Sequence, residues 1–94
     1  MNKTKQVKKA IEKHLTDRGF KNFQGMIITP QEWRGDDYGD KTRLIIHHEG
    51  QHCSSFFYPQ DFYEDFEEMH GTIEEQGGVY MECINPAVSV IYDL

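Results

Sequence analysis

The sequence predicts an α+β fold, a two-layer sandwich with two helices on one face of a mainly antiparallel sheet of about five strands. Three observations carry this. Residues 61–76, DFYEDFEEMHGTIEEQ, space Phe62, Phe66, Met69 and Ile73 by four, three and four, which makes one apolar stripe on an otherwise acidic helix. Residues 4–18 repeat the pattern with Val7, Ala10, Ile11, His14 and Leu15. The remaining apolar residues fall in short β-branched and aromatic runs punctuated by Gly, Pro and Asn. At 94 residues the chain has room for one core, so 1–94 is expected to form a single domain.

The first helix is supported by Lys8/Glu12 and Lys13/Asp17 at i,i+4 spacing. Gly19 is placed to cap its C-terminus, and Phe20 to fold back on the last turn. Residues 23–29, FQGMIIT, read as a strand that Pro30 stops, because proline cannot donate to a ladder. Trp33 follows, and RGDDYGD after it has loop composition. TRLIIHH (42–48) and QHCSSFFY (51–58) flank Glu49-Gly50, so a two-residue turn there predicts a hairpin. That register sets His47 opposite His52, Ile46 opposite Cys53, Ile45 opposite Ser54 and Leu44 opposite Ser55. Leu44, Ile46, Cys53 and Phe57 then share one side, and Arg43, Ile45, His47, His52 and Phe56 the other.

Pro59 ends that strand, Asp61 is the expected N-cap of the acidic helix, and Gly77-Gly78 stop the helix after about Gln76. VYMECI and VSVIY surround the turn dipeptide Asn85-Pro86 and predict a second hairpin, with Val79, Met81, Cys83, Val88 and Val90 available to the core. The expected order is α-β-β-β-α-β-β. The expected core is Val7, Ile11, Leu15, Phe20, Ile28, Leu44, Ile46, Phe57, Phe62, Phe66, Met69, Ile73, Met81 and Val90.

Charge is segregated along the chain. The first 21 residues hold seven of the ten Lys and Arg, and the remainder holds fourteen of the sixteen Asp and Glu. A formal net charge of −6 and a mostly acidic chain after residue 21 argue against direct binding of nucleic acid, which requires a basic face. No apolar run reaches the length of a membrane span, and MNKTKQVKKAIEKHL lacks the pattern of a signal peptide. A cytoplasmic protein with no membrane partner is expected. Cys53 and Cys83 stand thirty residues apart without a CxxC pattern, which favours two reduced thiols over a disulfide and agrees with that compartment.

No GxxxxGK[ST], GxGxxG, HExxH or GxSxG occurs, so phosphate cradles, dinucleotide sites and the common hydrolase motifs have no support. Asp36, Asp37 and Asp40 lack the spacing of a calcium loop. In a strand, the neighbours His52 and Cys53 point to opposite faces, which separates a thiol nucleophile from its base. His47 and His52, opposed across the turn, would make two zinc ligands. His48 points to the other face, and only the distant His14 or His70 is left to complete a set. No catalytic residue, no metal and no cofactor are therefore expected, and the protein reads as non-enzymatic.

The predicted outer face of the sheet carries more apolar residues than solvent favours: Ile45, Phe56, Tyr80, Ile84 and Ile91 among Arg43, His47, His52, Ser54, Glu82 and Ser89. A register displaced by one, or the Trp33 loop folding over the patch, would account for the surplus. So would an interface. The reading adopted is a small acidic protein-interaction module that self-associates through this face, a homodimer being the simplest closed assembly. Length, acidity and lack of motifs are common among accessory proteins and name no pathway.

A second reading is an acidic inhibitor of a basic nucleic-acid-binding protein, with Asp61, Glu64, Asp65, Glu68 and Glu75 standing in for phosphates. A charged helix face kept soluble by like-signed residues explains the same acids more simply. A third reading is a pocket for a cationic or aromatic small molecule, lined by Trp33, Tyr38, His47 and His52 with Phe56.

Overall fold

In the computed structural model, which describes residues 2–59 and 63–94, helix α1 runs Lys3–Asp17. Asn2 caps its start by accepting the Lys5 N–H at 2.8 Å. At its end Gly19, at φ 86°, turns the chain left-handed. The Phe20 and Gly19 amides then return to the Leu15 and Thr16 carbonyls at 3.1 and 3.0 Å, the two bonds of a Schellman ending. Strands β1 (Ile27–Ile28) and β2 (Thr42–His47) follow, then helix α2 (Tyr63–Glu74) and strands β3 (Val79–Asn85) and β4 (Val88–Asp93). The result is an α+β fold with one antiparallel sheet of four strands in the order β1-β2-β4-β3.

The expected strand at 51–58 does not form, so the sheet has four strands rather than five and the hairpin around Glu49-Gly50 is absent. Both edges of β2 are already occupied, one by β1 and the other by β4. The β4 side continues past the strand, where the His48 N–H donates to the Ala87 carbonyl at 2.9 Å. Beyond Gly50 (φ 77°) the chain instead folds in successive tight turns and a short 3₁₀ helix, Ser54–Phe56. Cys53, Phe56 and Phe57 all reach the same core this way, a spacing of three and one that a strand of period two cannot bury on one face. Asp61 and Phe62, expected as helix cap and core, lie outside the described residues.

Both helices lie on one face of the sheet and enclose the main core. Val7, Ile11 and Leu15 of α1 and Met69 and Ile73 of α2 meet Leu44, Ile46, Val79, Met81 and Ile91 of the sheet, with Phe57 fully buried beside them. Phe20 and Phe66 are only half-buried against this cluster. Two core positions differ from expectation by one residue. Ile27, not Ile28, is buried in the main core, and Ile91, not Val90, faces the helices. The run VSVIY has apolar residues of both parities. Its pairing with β2, Ile91 beside Leu44 and Ser89 beside Ile46, selects the parity. Val88 and Val90 therefore turn to the second face, where they form a separate cluster with Ile45. That second cluster makes the molecule more than a plain two-layer sandwich. Among the described residues no helix is long and apolar enough to cross a membrane.

Candidate functional site

Among the described residues no helix covers the second face of the sheet, but a loop covers part of it. Pro30 ends the β1 segment, and Thr29 starts a turn in which its amide and hydroxyl both donate to the Glu32 carboxylate, at 3.2 and 2.8 Å. The amides of Glu32 and Trp33 return to the Thr29 carbonyl. This turn aims Trp33 back at the sheet, where its indole Nε1–H donates to the Asp36 carbonyl at 2.9 Å. The ring lies so close to Gly35 that a Cβ there would come within 2.3 Å of it, which leaves room only for glycine. Trp33 meets His47 edge-on with ring centroids 5.8 Å apart, and Tyr38 at 6.4 Å.

Together Trp33 and Tyr38 pack over the cluster of Ile45, Val88 and Val90, the loop cover that the sequence left open as one explanation of the apolar surplus. Ile45 is only 1% exposed as a result. Phe56 and Ile91 are not on this face: both belong to the helix-side core, where Phe56 meets the rings of His14 and Phe20 edge-on. Of the five residues expected on the outer face, Tyr80 and Ile84 stand there half-buried. Tyr80 pairs across the strands with Tyr92, their rings 5.4 Å apart.

The outer surface of this face is thus made by half-buried Trp33, Tyr38, Tyr80, Tyr92 and Ile84. Burial, and then the Asp36 carboxylate, push the Tyr38 phenol up. Burial and then Glu82 do the same to Tyr92. Neither hydroxyl ionises near neutrality, so the aromatic groups are uncharged, and the exposed Glu82 stands among them between Tyr80 and Ile84.

The four residues expected to line one ligand pocket are divided. Trp33 and Tyr38 border a cleft of about 170 Å³ with Asp36, Asp37, Thr42 and Ile45. His47 meets the indole edge-on but does not line that cleft, and His52 lies in a different cleft of about 360 Å³ beside Phe20, Lys21 and Cys53. The missing hairpin is the reason: without strand pairing at 51–58, nothing brings His52 opposite His47. Among the described residues no group of three or more His, Cys, Asp or Glu is placed to hold a metal ion.

His48, which the sequence assigned no role, is fully buried between two serines. Ser89 donates its single proton to the Phe57 carbonyl at 2.6 Å, so at 3.3 Å its oxygen accepts the His48 Nε2–H. Nδ1 then accepts the Ser54 hydroxyl at 2.9 Å. The ring also stacks on Phe57. Burial, with His47 adding to it, lowers the imidazole pKa to about 4. The arrangement pins the turns after β2 onto β4. No residue spacing announces it, because its members, His48, Ser54 and Ser89, come from three separate parts of the chain. Cys53 and Cys83 are both free thiols, and burial raises the pKa of each.

The acids expected to form one array on α2 are also split. Asp65 accepts the Ser55 hydroxyl at 2.8 Å. Glu68 turns toward α1, where it pairs with Arg18 and lies 2.9 Å from His14 Nε2. Burial and then Arg18 lower the His14 pKa against the opposing pull of Glu68. Glu64 and Glu75 remain exposed, and Asp61 lies outside the described residues. Comparison of the chain with protein-family models, with curated proteins and with solved structures found no match.

Proposed function

We propose that the protein is a non-enzymatic interaction module that associates with a second copy of itself through the helix-free face of its sheet. One observation carries the reading: a second apolar cluster, Ile45, Val88 and Val90, whose cover is a set of half-buried aromatic side chains rather than a helix. Aromatic residues combine large contact area with few rotatable bonds, and they are enriched in the centres of protein interfaces. Tyr80, Tyr92 and Ile84 on adjoining strands supply a patch that two-fold symmetry can match to itself. The two free thiols agree with action in a reducing compartment such as the cytoplasm.

The other readings draw less support. A cleft of about 170 Å³ is smaller than the roughly 300–1,000 Å³ that small-molecule sites occupy. Phosphate mimicry calls for free carboxylates, and Asp65 and Glu68 are engaged within the molecule.

Light scattering with circular dichroism tests the proposal. The wild type should scatter as a dimer at high micromolar concentration, and Tyr80→Glu and Ile84→Asp should each give a folded monomer. Both positions are half-buried in one chain, so a charge there is tolerated alone but not in an interface. A wild type that scatters as a monomer refutes self-association.

A further inference from the structure

We propose that the open edge of β3 binds an extended, basic peptide segment, which pairs with β3 as a fifth strand alongside α2. The proposal uses the edge of the sheet and stands apart from the self-association assigned to its face. β3 is the terminal strand of the sheet, seven residues long. The Leu94 amide donates to the Gly78 carbonyl at 2.9 Å, which shows which backbone groups at this end turn toward β4. With Tyr80 paired to Tyr92 and Glu82 to Val90, alternation directs the N–H and C=O groups of Val79, Met81 and Cys83 away from the sheet. His70 confirms the direction, since its Nε2 reaches the Met81 carbonyl at 3.2 Å from α2. Because β3 has a neighbouring strand on one side only, the outward amides of Val79, Met81 and Cys83 face the side without a strand partner.

An open edge is a template for another strand unless lysine, proline or a bulge protects it. β3 contains neither lysine nor proline, and its register shift lies only at the far end, between Cys83 and Asn85. The opposite edge, β1, is two residues long and offers no comparable template.

α2 provides a wall for the added strand. Tyr63, Phe66 and His70 stack in succession at 6.3 and 5.8 Å, with Tyr63 59% exposed. Tyr63, Glu67, His70 and Glu74 follow one another by four, three and four, so Glu67 and Glu74 share the flank from which His70 reaches β3. Glu82 is exposed on the strand itself. These carboxylates select the occupant. A second copy paired edge to edge would set Glu67 and Glu74 against their own equivalents, whereas lysine or arginine side chains on an extended segment would complement them. Main-chain pairing supplies affinity, and the acidic flank supplies selectivity for a basic sequence.

The test uses an eight-residue peptide alternating lysine and valine, with amide exchange followed by NMR at low salt. The Val79, Met81 and Cys83 amides should become protected. Affinity should fall at least tenfold for the same peptide N-methylated at alternate amides, for a version with glutamate replacing lysine, and for the double variant Glu67→Lys/Glu74→Lys. Both side chains are exposed, and Glu74 lies 3.7 Å from His70 Nδ1, so circular dichroism and the His70 resonances should show the fold and the His70 position unchanged in the variant. The proposal is overturned by absence of binding at millimolar peptide, by equal binding of the N-methylated peptide, or by protection of these amides in the protein alone through pairing of two copies.

Discussion

Acidification should destabilise the protein through His48, by an amount that follows from its surroundings. The ring is fully buried, donates through Nε2 to Ser89 and accepts at Nδ1 from Ser54, so the neutral form has both nitrogens hydrogen-bonded without a charge in the interior. Protonation would place a charge in that desolvated site beside His47 and turn the Ser54 hydroxyl from donor to acceptor. The folded pKa is lowered from 6.5 to about 4. The unfolded chain therefore takes up a proton between pH 6.5 and 4 that the folded chain refuses. The stability linked to His48 is complete above pH 6.5, falls as the pH drops through this window, and is gone below about 4. At about 1.36 kcal/mol per pH unit the whole effect is roughly 3 kcal/mol, a large share of the 5–15 kcal/mol that holds a typical domain together. Urea unfolding at fixed pH values from 7.5 to 4.5 measures it, with His48→Gln as reference because an amide can donate and accept at this position without titrating. Carboxylates and His14 titrate in both proteins and cancel in the difference. By pH 5 the wild type should have lost about 2 kcal/mol more than the variant. Parallel pH profiles, or an NMR titration placing the His48 ring near 6.5, would refute the reasoning.

Two further outcomes check the packing. Phe57→Ala removes a fully buried ring and should cost about 3–5 kcal/mol in urea unfolding, while Glu74→Gln on the exposed flank of α2 should stay within about half a kcal/mol. Equal effects would show that the core is misplaced. Gly35→Ala sets a methyl group 2.3 Å from the Trp33 ring and must push the indole off the loop, at a cost of roughly 1–3 kcal/mol. Since the chain has a single tryptophan, its emission should shift to the red, and an unshifted spectrum would mean the ring does not rest on Gly35.

The helices were the most legible elements because their evidence is local. The stripe Val7, Ile11, Leu15, the Gly19-Phe20 ending and the spacing of Met69 and Ile73 each involve residues within a few turns of one another, and each appears in the structure as read. So does the antiparallel character of the sheet, along with Leu44 and Ile46 on its helix side. The strand at 51–58 failed on the same criterion. QHCSSFFY has strand-like composition, but pairing depends on which edge is vacant, and β4, some forty residues beyond β2, had taken it. With the hairpin went the opposition of His47 and His52 and the placement of Phe56 on the outer face.

What the sequence determined by itself is the pair of amphipathic helices, the division of charge between the two ends of the chain, and the α+β class, all set by periodicity and composition. Only the tertiary structure decided strand partners, which of Val90 and Ile91 faces the helices, the folding of Trp33 over Ile45, the burial of His48 between Ser54 and Ser89, and the open edge of β3. The physical reason is common to all of these. Each depends on contacts between segments distant in the chain, where the competing arrangements have nearly equal local preference and the choice falls to whichever buries the most apolar surface while leaving the fewest polar groups unpaired.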